Sequence, residues 1–226
     1  MKVKICANKT IQDAQMCLDA GADIIGILVG QQHNSTDFVD KSTAKKICKY
    51  VDGRCDVSLV THITNADEII KLTKYIGNNT IQLHSNIAES EVEKISKALP
   101  KVKLVRLIHV SSDGKLATDI SKMKYADFYL LDSFNLKTDQ VGGTGLTHDW
   151  NKSREIIKNL NKPAFLAGGL NPDNVKQAII QANPYGVDVN SGCKLNGVKN
   201  AQKVKEFVTN AKTKQNRKKE TIISEN

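Results

Sequence analysis

The chain has 226 residues, 40% of them hydrophobic, with 33 Lys and Arg against 24 Asp and Glu and a formal net charge of +9. That length suffices for one large core, and the longest apolar runs, such as IIGILV at 24–29, are far too short to cross a bilayer. Five cysteines (Cys6, Cys17, Cys48, Cys55, Cys193) form no CxxC pair, which argues against a disulfide framework or a zinc finger, and much of the excess charge sits in Lys212 to Lys219 without the interleaved aromatics of a nucleic-acid surface. The start, MKVKIC, runs into a strand without a signal-peptide pattern, so a cytoplasmic protein with no membrane or nucleic-acid partner is expected.

In chain order the strand-like segments are VKIC (3–6), DIIGILV (23–29), DVSLVTH (56–62), TIQLH (80–84), KLVRLIHV (103–110), FYLLDS (128–133), PAFLAG (163–168) and GVDVNS (186–191). Amphipathic patterns lie between them, such as Ile11, Ala14 and Leu18, or Val92, Ile95 and Leu99, and Thr10 and Asn65 have the form of N-caps with Asp13 and Glu68 three residues on. Strands rich in β-branched residues with little polar alternation fit a parallel sheet covered on both faces. Eight such units predict a single (β/α)8 TIM barrel over residues 1–211, followed by a basic tail, 212–226, that has little to bury.

The last two strands break into small residues, Gly168-Gly169 and then Asn190-Ser191-Gly192. Bare backbone N–H groups there, with Asn171-Pro172-Asp173 opening a helix, form the phosphate cup of a barrel after strands seven and eight. This favours the barrel over a doubly wound sheet. The long connections Gly30 to Asp40 and Phe134 to Thr147 should border the same mouth.

Cys6 ends strand one and Asp132 lies at the end of strand six, so both should face the mouth as a base and acid pair. Each has a plain alternative, a buried small hydrophobe for Cys6 and a loop cap for Asp132; their shared placement sets them apart from the other cysteines. Gln82 and His84 share a face of strand four and either bind substrate or fill the polar top of the barrel. Asp188, an acid in a buried strand, needs a partner, either a substrate group or a salt bridge. His62 and His109 also end strands, but nothing in their spacing asks for a metal.

Together KIC (4–6), DAGADIIG (19–26), IQLH (81–84), LLDS (130–133), GGTG with HDW (142–150), LAGGLNPDNV (166–175) and GVDVNSG (186–192) resemble phosphoribosylanthranilate isomerase, the (β/α)8 enzyme of tryptophan biosynthesis, in family order across nearly the whole chain. The resemblance implies an Amadori rearrangement without a cofactor, with the residue matching Cys6 as general base and that matching Asp132 as general acid. It also implies a small phosphorylated sugar substrate, held by backbone around Gly143, Thr144 and Gly145 as well as Gly168, Gly169, Ser191 and Gly192. Whether such a chain is a monomer or a homodimer is left open.

Departures from the family pattern gather at the mouth: Ala7 and Ser85 replace glycines, Asn190 replaces serine, Cys193 replaces valine, and Asp37 stands where the family has an arginine thought to hold the anthranilate carboxylate. A like charge at 4 Å costs about 4 kcal/mol at an effective dielectric near 20 unless relieved, with His33, Lys41 or Arg106 as possible relief. Two alternatives follow: a paralogous isomerase acting on another phosphorylated sugar or aminosugar, and a non-catalytic phosphometabolite-binding barrel.

Overall fold

The computed structural model describes residues 1–31, 35–111, 116, 118–135, 140–141 and 149–213. Its barrel strands are β1 (Lys2–Ile5), β2 (Ile24–Leu28), β3 (Asp56–Thr61), β4 (Thr80–Leu83), β5 (Lys103–Ser111), β6 (Phe128–Asn135), β7 (Ala164–Leu166) and β8 (Gly186–Val189). Each pairs in parallel with the next, and β8 pairs with β1 through Lys2↔Gly186 to Ile5↔Val189, so the ring closes. The eight-stranded barrel read from the sequence is the observed fold.

Among the described residues seven α-helices surround it: α1 (Ile11–Asp19), α2 (Lys41–Val51), α3 (Ala66–Ile76), α4 (Glu89–Ala98), α5 (Trp150–Asn159), α6 (Val175–Ala182) and α7 (Ala201–Lys212). Local chemistry sets their ends. Thr10 and Asp13 form a reciprocal capping box at α1, and the Asn65 side chain accepts from the Glu68 N–H at α3. The crossover from β5 to β6 departs from the expected alternation, holding only the 3-10 turn Ile120–Lys122 among the described residues.

The seventh crossover also begins later than expected. Asn171, Pro172 and Asp173 precede α6 as a turn in which Asn171 Oδ1 accepts from the N–H groups of Asp173 (2.9 Å) and Asn174 (3.1 Å). Those side-chain bonds compete with helix formation.

Outward residues such as Val3, Ile5, Ile25 and Leu59 pack the sheet against the helices, while Val105, Leu107, Leu130, Phe165 and Ala167 fill the barrel interior. At the amino ends of the strands the Phe128, Phe165 and Tyr185 rings meet at centroid distances of 5.5–5.8 Å. They border a small cavity of about 120 Å³ that reaches Lys4, Ser58 and Gln82. Residues 214–226, most of the expected tail, lie outside the described residues.

Candidate active site

Period-two alternation along β1 puts Lys4 and Cys6 on the same inward side, and the β1–β8 register sets Lys4 beside Asp188. Lys4 Nζ donates to Asp188 Oδ2 at 2.6 Å, both side chains under a tenth exposed. The other carboxylate oxygen, Asp188 Oδ1, is buried without a hydrogen-bond partner. Gly26 on β2 leaves the space: a Cβ there would lie 2.9 Å from Cys6 Sγ and 3.3 Å from Lys4 Cε.

Asp132 is 8% exposed and accepts the Ser133 N–H at 2.8 Å. Burial raises its carboxyl to about 7, the Asp188 charge pushes the same way, and the Ser133 N–H and Lys4 oppose them. For Cys6, burial raises the thiol and Lys4 lowers it; Asp188 adds to the rise, Lys199 and the Ala7 N–H oppose it, and the net shift is upward. Lys4 is held charged in turn: burial disfavours its ammonium, but Asp188 and Cys6 outweigh that and raise it. One ion pair, Lys4 with Asp188, thus acts on both Cys6 and Asp132. Cys6 and Asp132, expected as base and acid, each feel the same two charges, and Asp188 has in Lys4 the salt-bridge partner that a buried acid requires.

The chain around Cys6 is tightly held. Asn8, fully buried, donates to the carbonyls of Ile5 (2.8 Å) and Gly26 (3.1 Å), and buried Lys199 donates to the Cys6 carbonyl at 2.8 Å. Ala7 has a φ of 56°, left-handed, where a glycine would sit without strain.

In the turns expected to hold phosphate, Gly168 and Gly169 have φ of 81° and 64°. A Cβ at Gly192 would meet the Leu170 carbonyl oxygen at 2.0 Å, so the turn after β8 packs directly on the turn after β7. The N–H groups of Gly168, Gly169, Ser191 and Gly192 make no backbone hydrogen bond to a described residue. Gly143, Thr144 and Gly145 fall outside the described residues.

Gln82 Nε2 and His84 Nδ1 are 3.0 Å apart, and His84 stacks on His62 at 5.3 Å. Ser85 lines a cavity of about 460 Å³ between the ends of β4 and β5 together with Leu107 and His109. Asp37 bonds to Lys194 through Oδ1 (2.5 Å) and to the Asn190 amide through Oδ2 (2.8 Å). The partners of Asp37 are therefore Lys194 and Asn190 rather than the groups the sequence suggested. Arg106 is paired with Glu89 at the start of α4, Lys41 faces the Tyr75 ring, and His33 lies outside the described residues.

Sequence reading therefore missed Lys4, Lys194 and Lys199. Only Lys4 left a signal, a lysine on the face of an apolar strand that two residues later presents Cys6.

The model of the family described as N-(5'phosphoribosyl)anthranilate (PRA) isomerase matches residues 3–210. A curated relative, N-(5'-phosphoribosyl)anthranilate isomerase 2 of Methanosarcina mazei, is 41% identical over 213 residues, covering 94% of both chains. Isomerase 1 of the same organism is 28% identical, covering 92% of this chain and 93% of its own. The solved N-(5'-phosphoribosyl)anthranilate isomerase of Pyrococcus furiosus superposes with a TM-score of 0.78 at 28% identity, covering 94% of this chain and 98% of that one. With its matching barrel and span of residues, the chain belongs to the phosphoribosylanthranilate isomerase family.

Proposed function

We propose that the protein converts N-(5-phosphoribosyl)anthranilate to its 1-deoxyribulose 5-phosphate isomer, with Asp132 as general acid and Cys6 as general base. Asp132 gives its proton to the furanose ring oxygen as the C1–O bond breaks, leaving a protonated imine between C1 and the amine nitrogen. Cys6 thiolate then removes the C2 proton; that electron pair forms the C1–C2 double bond and the C1–N π pair returns to nitrogen. The enolamine ketonises by losing its C2 hydroxyl proton and gaining one at C1, so atoms and electrons balance without an oxidant or a cofactor. The phosphate rests on Gly168, Gly169, Ser191 and Gly192 together with Gly143, Thr144 and Gly145, while Gln82, His84 and Asp188 face the sugar.

The observation that carries this reading is Asp132, a carboxyl buried until it titrates near 7 beside the ion pair that also reaches Cys6. A carboxylic acid that keeps its proton near neutrality is suited to general acid work. Because Cys6 is shifted above the ordinary thiol range, the productive form, thiolate with carboxylic acid, is a minority species at every pH. Its abundance peaks between the two values, giving a bell whose acid limb lies near 7 in kcat/KM. The enzyme works in the cytoplasm as a monomer or a homodimer.

A second reading, a paralogous isomerase for another phosphorylated aminosugar, is favoured by Asp37 and by the greater identity to the isomerase numbered 2 of the two in Methanosarcina mazei. The test is loss of substrate fluorescence when phosphoribosylanthranilate, generated in place from anthranilate and phosphoribosyl pyrophosphate, meets the purified protein. Cys6→Ala and Asp132→Asn should each lower kcat by at least about a hundredfold, the scale of one acid or base. Full activity in either variant removes that residue from the mechanism; an inert wild type that binds ribose 5-phosphate supports the second reading.

A further inference from the structure

On the function proposed above, the substrate is anionic at both ends, with a phosphate at one and an aromatic carboxylate at the other. The glycine turns serve only the phosphate. Among the cations of the described mouth, Lys4 is occupied by Asp188 and Lys199 by the Cys6 carbonyl. Arg106 is occupied by Glu89 in the helix layer.

The loop after β2 offers a different arrangement. Its Val39 N–H bonds to the Leu28 carbonyl, and a bridge between Phe38 and Leu28 lays the loop along the end of β2. Asp37 there bonds to both Lys194 and Asn190, which follow β8. Lys9, from the turn after β1, acts electrostatically on the same carboxylate and forms no ion pair of its own among the described residues. Two ammonium groups around one carboxylate leave this corner net positive. Burial would raise the Asp37 carboxyl, but Lys194 and Asn190 outweigh it and lower it, so the anchor stays ionised across the neutral range.

Beside this corner the Phe38 ring meets His62 edge-on at 5.1 Å, and His62 stacks on His84. A row of rings next to a cationic corner complements an aromatic carboxylate. We infer that Lys194, positioned by Asp37 and assisted by Lys9, binds the carboxylate of the aglycone while its ring lies against Phe38. The cation is supplied by the turn after β8, and the loop after β2 supplies the anchor that aims it.

The experiment compares kcat/KM for two glycosylamines, formed from ribose 5-phosphate with anthranilate and with aniline, the second lacking only the carboxylate. The wild type should prefer the carboxylated substrate by at least about tenfold. Lys194→Met should lose most of that preference through KM, Lys9→Met part of it, and Lys194→Arg should keep it. Damage to folding or to the phosphate turns lowers both rates and leaves the ratio alone, so the ratio separates recognition from stability. An unchanged preference in Lys194→Met, or equal loss on both substrates, overturns the inference while leaving the proposed function standing. A wild type inert on both substrates overturns the function and this inference with it.

Discussion

The two ends of the barrel solve opposite problems. At the amino end, Phe128, Phe165 and Tyr185 close the interior with stacked and edge-on rings, and Lys103 caps Phe128 at 5.4 Å from its centroid. At the carboxyl end, Lys4, Asp132 and Asp188 are buried with one carboxylate oxygen unpartnered, and Ala7 is left-handed. Apolar closure lowers the free energy of the fold, whereas buried charge and strain raise it and persist where a substrate uses them. The floor holds the molecule together and the mouth is held by it.

The largest expected effect breaks the floor. Phe165→Ala removes a ring that is 3% exposed and should cost about 3–5 kcal/mol in urea unfolding. Its kcat should stay close to that of the wild type at a temperature where it remains folded; a collapse of kcat with little loss of stability would reverse the roles assigned to the two ends.

The next effect belongs to the mouth and depends on pH. Asp132 titrates at about 7 in the fold, above the unfolded value, so the folded state keeps its proton over a range where the unfolded state has lost it. Stability from this group is therefore fully present below the unfolded pKa and is lost as pH rises towards 7. Since an ordinary aspartic acid titrates near 3.8 and this one at about 7, Asp132→Asn should gain up to about 4 kcal/mol relative to the wild type between about pH 4 and pH 8, read from urea midpoints. A difference that does not change with pH would mean that burial does not hold the proton on Asp132.

The smallest effect is at Ala7. Its left-handed φ of 56° costs about 1 kcal/mol, partly offset by the greater unfolded-state freedom of glycine, so Ala7→Gly should raise stability by less than about 1 kcal/mol, roughly one or two degrees in Tm. A fall in Tm would show that the Ala7 methyl, buried at the mouth, packs for more than its backbone strain costs.

Much of this was legible in the residues. Thr10 with Asp13, and Asn65, set helix starts through contacts three residues apart, and β-branched runs marked the strands because a sheet covered on both faces needs them. Cys6 and Asp132 could be placed at the mouth because active groups of a barrel sit at the carboxyl ends of its strands. The fifth crossover shows only a 3-10 turn among the described residues, and a strand-to-strand spacing of ordinary length does not reveal what fills it. The partners of Asp37 were missed because Asn190 and Lys194 lie more than 150 residues away in sequence.

The sequence by itself determined what depends on neighbours in the chain: strand and helix periodicity, caps, glycine turns, and hence the barrel and its chemical end. Only the tertiary structure decided the charge relations. The β1–β8 register put Lys4 beside Asp188, ring closure buried Asp132 until its proton held near neutrality, and the meeting of the loops after β2 and β8 paired Asp37 with Lys194. The strength of a charge depends on desolvation and distance, and both are properties of the folded chain.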